Sequence, residues 1–302
     1  ATSTSAWALG SGGGGGAAGR VGAFWGGEED DEPPEALRPP EGLQSIPPAD
    51  LATVRELGRG SFGSVWLARW RGAAVAVKEL HRSNFGDAEG ARQLKEFYRE
   101  VATLAGLAHP NVVAFYGVVV QRHVGAVFEY MPSGSLRRCL VRLQQRNDNR
   151  VRILMGLAVA RGLEYLHSRG VIHFDIKADN VLCDLRDARW PVCKIGDLGL
   201  ARLRQSSVVS GNMRGTLSWM APELFPTMPR AGGGASSGSR NQEEESHRAV
   251  TEAVDVYSFG VLMWELWTWG DSPHTAVGMD PNDIIFATMR GEVVRPAVPG
   301  LE

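Results

Sequence analysis

Asp175, Lys177 and Asn180 stand in the run His173-Phe174-Asp175-Ile176-Lys177-Ala178-Asp179-Asn180. A carboxylate, a cation two residues on and an amide five residues on are groups that can serve a phosphoryl transfer. Asp175 can accept or orient a substrate hydroxyl, Lys177 can offset charge on the γ-phosphate, and Asn180 can ligate magnesium. Asp197, in Asp197-Leu198-Gly199, is a second acid suited to a metal that bridges phosphates. Lys78 closes the apolar run Val75-Ala76-Val77-Lys78. A lysine ending a strand is ordinarily solvated. Behind a glycine-rich hairpin it can instead reach the α- and β-phosphates of a nucleotide. Its ammonium then needs a carboxylate, for which Glu100 is the candidate and Glu96, one turn earlier, the rival.

That hairpin is Gly58-Arg59-Gly60-Ser61-Phe62-Gly63, followed by Ser64 and Val65. Glycines let backbone N–H groups press against phosphates without a Cβ clash. The same spacing serves dinucleotide folds, where the glycines open a helix. Here Val65-Trp66-Leu67 continues as a strand, which disfavours that reading.

The surrounding pattern supplies two lobes to position these groups. Val65, Leu67, Val75 and Val77 alternate as paired strands do. Leu94, Phe97, Val101, Leu104 and Ala108 recur at helical spacing until Pro110, and strand-like runs follow at 112–120 and 124–130. After Pro132-Ser133-Gly134 the pattern turns helical, with a stripe of Val151, Leu154, Ala158, Tyr165 and Leu166 capped by Gly170. A polar loop region is expected over 173–223, and a buried helix over 254–267. Residues 1–45, rich in Gly, Pro and acidic residues, read as a disordered tail. The first lobe is expected over 46–131 and the second over 132–302, the latter carrying a low-complexity insertion at 228–248.

Composition excludes other classes. The chain of 302 residues is 43% hydrophobic and 22% charged, a globular profile. Its net charge of -2 gives no pull toward nucleic acid. No apolar run reaches the roughly 18 residues of a membrane span. Cys139, Cys183 and Cys193 lack metal-binding spacing and read as free thiols in a reducing compartment, so a cytoplasmic location is expected.

With Ala221-Pro222-Glu223, the five motifs occur in the order of the protein kinase signature set. The stretch from 42 to 302 resembles plant Raf-like MAP kinase kinase kinases. Trp70-Arg71-Gly72, the run 109–117, the run 214–220 and the phrase His173-Phe174-Asp175 carry the likeness. The resemblance implies an α+β bilobal kinase fold: a small antiparallel sheet lobe with one main helix, and a larger helical lobe. It implies a serine/threonine kinase that uses ATP and Mg2+ on a protein substrate, such as a downstream kinase, in a signalling cascade. A nucleotide-binding scaffold without catalysis is the alternative.

The same resemblance assigns further residues. Leu57, Val65, Ala76 and Leu182 would sandwich adenine, and Glu129 to Met131 would form the hinge. Leu104, Phe115, His173 and Leu198 would stack as a spine between the lobes. Asp255 would tie down the catalytic loop, where the competing reading is a helix N-cap. Phe128 would narrow the back pocket. Phe174 replaces an arginine that in relatives reads a phosphate on the activation segment. Reduced dependence on Ser206, Ser207 and Ser210 is therefore expected. Relatives continue past the position of Glu302 with more helices and an arginine that pairs with the residue matching Glu223, so a truncated larger lobe is expected.

Overall fold

The computed structural model describes residues 37–59, 63–80, 88–121, 124–144, 148–198, 202–203, 216–225 and 250–270, with scattered positions from 280 to 292. Five strands form the first lobe: β1 (Leu51–Arg59), β2 (Gly63–Trp70), β3 (Ala73–Leu80), β4 (Phe115–Val120) and β5 (Val124–Glu129). They make one antiparallel sheet in the order β1-β2-β3-β5-β4. Arg71 and Gly72 join β2 to β3 with φ of 49° and 82°. A two-residue turn with both φ positive matches the twist of the strands it joins.

Side chains alternate across β3. Val75 and Val77 pack in a cluster with Ile46, Leu51, Val119 and Val127. Ala76 packs on the other side with Val65, Leu57 and Tyr130. The period of two therefore puts Lys78 on the face of Ala76. Helix α1 (Ala88–Ala105) lays Leu94, Phe97, Val101 and Leu104 into the core.

Two boundaries differ from the sequence reading. Helix α1 ends before Gly106, and Ala108 instead donates its N–H to the Tyr165 hydroxyl. Strand β4 starts at Phe115. Asn111 and Val113 pair instead with Ile195 of the other lobe, through Ile195 N–H to Asn111 O (2.8 Å) and Val113 N–H to Ile195 O (2.9 Å). Residues 37–45 are also seated rather than free. Leu37 is buried, and its carbonyl accepts from the Tyr98 hydroxyl. Gln44 O accepts from Val118 N–H at 2.8 Å, and Ile46 N–H donates to Val118 O at 2.7 Å. Composition hid this because two apolar side chains and one open sheet edge suffice to hold the segment.

The second lobe holds α2 (Leu136–Leu143), α3 (Asn149–Ser168) and α4 (Ala253–Trp267). Asp148 caps α3 by accepting from Arg150 and Val151 N–H, and Gly170 ends it with φ of 70°. The region read as polar loop contains strands. β8 (Val181–Asp184) lies between β6 (Gly134–Ser135) and β9 (Val192–Ile195), and β7 (Val171–Ile172) pairs with β10 (Arg202–Leu203). Cys183 and Cys193 face each other across β8 and β9, and all three cysteines are buried and free. Among the described residues no helix is long and apolar enough to cross a membrane.

Helix α3 presses on β9 at Gly162, where an added Cβ would sit 2.7 Å from Asn111 O and 2.8 Å from Ile195 Cδ1. In an open helix Gly→Ala gains about 1 kcal/mol. Here the clash is with backbone, and overpacking costs about 1–3 kcal/mol. Gly162→Ala is expected to lower the melting temperature; a rise would show that α3 and β9 are not in close contact.

Candidate active site

Strand β3 delivers Lys78 to the cleft. Its Nζ lies 3.4 Å from Glu100 Oε1 on α1 and 3.2 Å from Asp197 Oδ1, two residues past β9. Glu100, rather than its rival Glu96, is thus the partner. Burial by itself would lower the Lys78 pKa, but Asp197 and Glu100 outweigh it and hold the ammonium above its ordinary value. Burial opposes ionisation of Asp197 in turn, and Lys78 beside it prevails and lowers its pKa. Asp197 has φ of 54°, unusual for a residue with a side chain. Lys78, Glu100, Leu104, Phe128, Asp197 and Leu198 line a small cavity.

The loop after β7 carries the second set. Asp175 Oδ2 accepts from Lys177 Nζ and Asn180 Nδ2, both at 2.8 Å. Its Oδ1 accepts from Thr216 N–H (3.0 Å) and Oγ1–H (2.8 Å). Asn180 N–H donates to Lys177 O, and Gly196 N–H to Asn180 O at 2.8 Å, so the loop is latched to the segment bearing Asp197. The charge of Lys177 also helps to hold the Asp197 carboxylate ionised. Asn180 donates through Nδ2 to Asp175 O and Oδ2, while its buried Oδ1 has no partner among the described residues. That oxygen and the Asp197 carboxylate are hard donors that fit Mg2+. Among the described residues no group of three His, Cys, Asp or Glu could hold an ion. A magnesium shared with phosphate oxygens needs no such cage.

Asp255 of α4 positions the loop. Its Oδ2 accepts from His173 N–H and Oδ1 from Phe174 N–H, both at 2.8 Å, and His167 Nε2 lies 2.8 Å from Oδ2. The N-cap of α4 is Glu252, so the N-cap reading of Asp255 falls. Phe174 takes φ of 67° and is buried against Ile172, Met220, Leu224, Phe225 and Val254. His173 is fully buried with Nε2 3.0 Å from Gly196 O, and Leu104 and Leu198 lie in one core cluster with Phe115 packed against it.

Toward the first lobe, Val65 and Ala76 pack together under Leu57, and Leu182 is buried on the side of the larger lobe. Gly58 pairs with Val65 across β1 and β2, and Arg59 is an exposed partner of Glu56. Gly63 leaves room where a Cβ would lie 1.8 Å from Glu79 O. Phe128 packs edge-on to Phe115 at 5.7 Å between ring centres. Glu129 turns its carboxylate to Lys194 (2.7 Å), and Met131 O accepts from Gly134 N–H. Gly60, Ser61, Phe62, Gly199, Ser206, Ser207, Ser210 and the 228–248 stretch lie outside the described residues. Glu223 is exposed, and no ion pair is found for it among the described residues.

Sequence reasoning placed Tyr130 in the hinge span but not its side chain, which packs against Val65 and Ala76, and it missed the group formed by Glu265, Arg137 and Trp219. Glu265 is fully buried. Its carboxylate accepts from Ala178 N–H (3.0 Å) and Trp219 Nε1–H (2.7 Å) and pairs with Arg137. Burial pushes its pKa up to about 7 although Arg137 pulls the other way. An acidic residue deep in an apolar helix was the only signal available.

A family model for protein tyrosine and serine/threonine kinases matches residues 51–297. The chain is 39% identical over 236 residues to serine/threonine-protein kinase CTR1 of Arabidopsis thaliana, covering 75% of this chain and 25% of that protein. It is 36% identical over 239 residues to probable serine/threonine-protein kinase SIS8 of the same plant, covering 76% and 20%. It is 35% identical over 246 residues to probable serine/threonine-protein kinase drkA of Dictyostelium discoideum, covering 80% and 33%. The chain thus spans a third or less of the length of these relatives. The match over residues 51–297, on a bilobal fold in which Lys78 meets Glu100 and Asp197 and the loop of Asp175 and Asn180 is latched to the segment bearing Asp197, makes the chain a member of the protein tyrosine and serine/threonine kinase family.

Proposed function

We propose that the chain is the catalytic domain of a serine/threonine kinase that transfers the γ-phosphoryl group of ATP to a protein hydroxyl. The carrying observation is the pair of polar sets meeting at one cleft: Lys78 with Glu100 and Asp197, and Asp175 with Lys177, Asn180 and Thr216. Catalysis of this kind is mostly positioning and electrostatics. Lys78, fixed by Glu100, holds the α- and β-phosphates. The loop at 58–63 covers the phosphates, Leu57, Val65, Ala76 and Leu182 enclose adenine, and the backbone of Glu129 to Met131 meets its edge.

Asn180 and Asp197 would hold Mg2+, which would supply neutralisation of phosphate charge when bound. Asp175 orients the acceptor hydroxyl and takes its proton. The new bond joins that oxygen to γ-phosphorus, the bond from phosphorus to the bridging oxygen breaks, and ADP leaves with the electron pair. Lys177 offsets charge on the transferring group. The named relatives are serine/threonine kinases, which supports that acceptor class. The Raf-like resemblance supports a role in a signalling cascade, with a downstream kinase as substrate and the cytoplasm as location.

Phe174 does not favour the scaffold alternative. It fills an apolar cluster, and every group assigned to nucleotide, metal or hydroxyl is present. Asp175→Asn is expected to lower transfer to a generic protein substrate by about 10²–10⁴-fold. Mg-ATP should still raise its melting temperature, because ligand stabilises the state that binds it. Full activity in that variant would overturn the reading, as would nucleotide binding without transfer in the wild type. Two further outcomes concern Phe174. Replacing Ser206, Ser207 and Ser210 together by Ala should leave most of the activity. Phe174→Arg should destabilise the fold by roughly 3 kcal/mol or more, since it buries an unpaired charge. A denaturant melt and an activity assay check both.

A further inference from the structure

Three thiols lie in a row behind the cleft. Cys183 Sγ lies 3.5 Å from Cys193 Sγ and also hydrogen-bonds Cys139. Cys139, on α2, points its Sγ at Ser133 O. All three are free and fully buried. They do not make a metal centre, since among the described residues no group of three His, Cys, Asp or Glu could hold an ion. None of them serves the nucleotide, metal or hydroxyl chemistry of the cleft.

Backbone contacts decide what Cys183 and Cys193 can do. The two are directly opposite across β8 and β9. Cys183 O accepts from Ser133 N–H at 3.0 Å, on the β6 side, and Cys193 O accepts from Asn111 Nδ2 at 3.0 Å, on the far side of β9. The N–H and C=O of a strand residue point the same way, so the two cysteines turn their backbone groups away from each other. They form a non-hydrogen-bonded pair, in which side chains approach closest and Cα atoms stand about 4.5 Å apart. That spacing falls at the short end of the roughly 4.4–6.8 Å that a disulfide spans. A bond closed at the edge of its range is strained, and strain makes a disulfide easier to reduce.

Side chains alternate along a strand, so the two sulfurs lie on the face opposite Leu182 and Lys194. The strands themselves lead to the cleft. β8 begins one residue after Asn180, and β9 ends two residues before Asp197. The turn between them meets solvent, with Arg186, Asp187, Arg189 and Trp190 exposed and Val192, next to Cys193, 43% exposed. Local opening of such a hairpin end admits a molecule little larger than water. Hydrogen bonds with Cys139 and Cys193, together with burial, push the Cys183 thiol up. The closed protein therefore holds it as a thiol, unreactive until the hairpin opens.

We propose that Cys183 and Cys193 are a redox-modification site, closed to an intramolecular disulfide by hydrogen peroxide and reopened by small-molecule thiols. One sulfur, as thiolate, breaks the O–O bond of peroxide and becomes a sulfenic acid with release of hydroxide. The other attacks that sulfur, the S–S bond forms and a second hydroxide leaves. With the two thiol protons, the products are the disulfide and two waters. Two small thiols reverse the bond by exchange and are themselves joined as a disulfide. The protein disulfide staples the hairpin that joins Asn180 to Asp197, and its strain re-aims those two groups. Only this effect on nucleotide binding rests on the kinase reading; formation of the bond does not.

The test treats the reduced full chain with hydrogen peroxide, blocks the remaining thiols with iodoacetamide after denaturation, and maps the peptides by mass. The expected result is a peptide pair joined through Cys183 and Cys193, with Cys139 alkylated and the link reversed by dithiothreitol. Cys139→Ala should keep the bond. Cys183→Ala should lose it, and Cys193→Ala carries the same test should Cys183→Ala not fold. The melting shift given by Mg-ATP should shrink in the oxidised wild type and return with dithiothreitol, and peroxide should not change it in the variant that lacks the bond. Three alkylated cysteines after peroxide, a bond to Cys139, or a sulfinic acid in place of the disulfide would overturn the inference. So would an Mg-ATP shift indifferent to the bond. A reduced wild type that Mg-ATP does not stabilise would instead sink the kinase reading and leave the peptide map standing.

Discussion

The ammonium of Lys78 joins two parts of the chain 119 residues apart and sets the charge of the cleft. One cation faces two carboxylates, Glu100 and Asp197, so the group carries one unit of negative charge when all three are ionised. The partial burial of each side chain, 18% exposed, keeps water from screening this charge fully. That excess invites a cation on the Asp197 side, where Asn180 offers an unused oxygen. Much of the first lobe serves this arrangement. The turn at Arg71-Gly72 and the alternation of β3 aim Lys78, and the apolar stripe of α1 aims Glu100.

The second lobe solves a different problem, the holding of a loop that has little structure of its own. Asp255 and Glu265 reach it from one rigid helix, and Phe174 anchors it by burial with a left-handed φ. The apolar ring fits among Met220, Leu224 and Phe225, so the loop and the Thr216 segment share one packing surface. A residue at this place that touches apolar neighbours rather than an anion makes loop geometry depend on packing more than on charge.

What could be read in advance was chemistry written in short spacings. Asp175, Lys177 and Asn180 lie within one loop, and α1 offered Glu100 with Glu96 one turn earlier on the same face, a choice that the contact at Lys78 settles for Glu100. Asp255 came from likeness to known kinases, since its targets lie 81 and 82 residues away. Glu265 escaped because its partners are 128, 87 and 46 residues distant, and no local pattern marks a carboxylate that caps someone else's backbone. Strands β8 and β9 escaped because runs of four residues among Asp, Arg and Pro look like loop. The seating of Leu37 and of the backbone at Gln44 escaped because composition averages over the few groups that bind.

The most direct test of the central arrangement is calorimetric titration of a non-hydrolysable ATP analogue, with and without Mg2+, into the wild type and Asp197→Asn. The account predicts that Mg2+ strengthens nucleotide binding to the wild type and has little effect on the variant. Equal Mg2+ dependence in both proteins, or no nucleotide binding by the wild type, would contradict it.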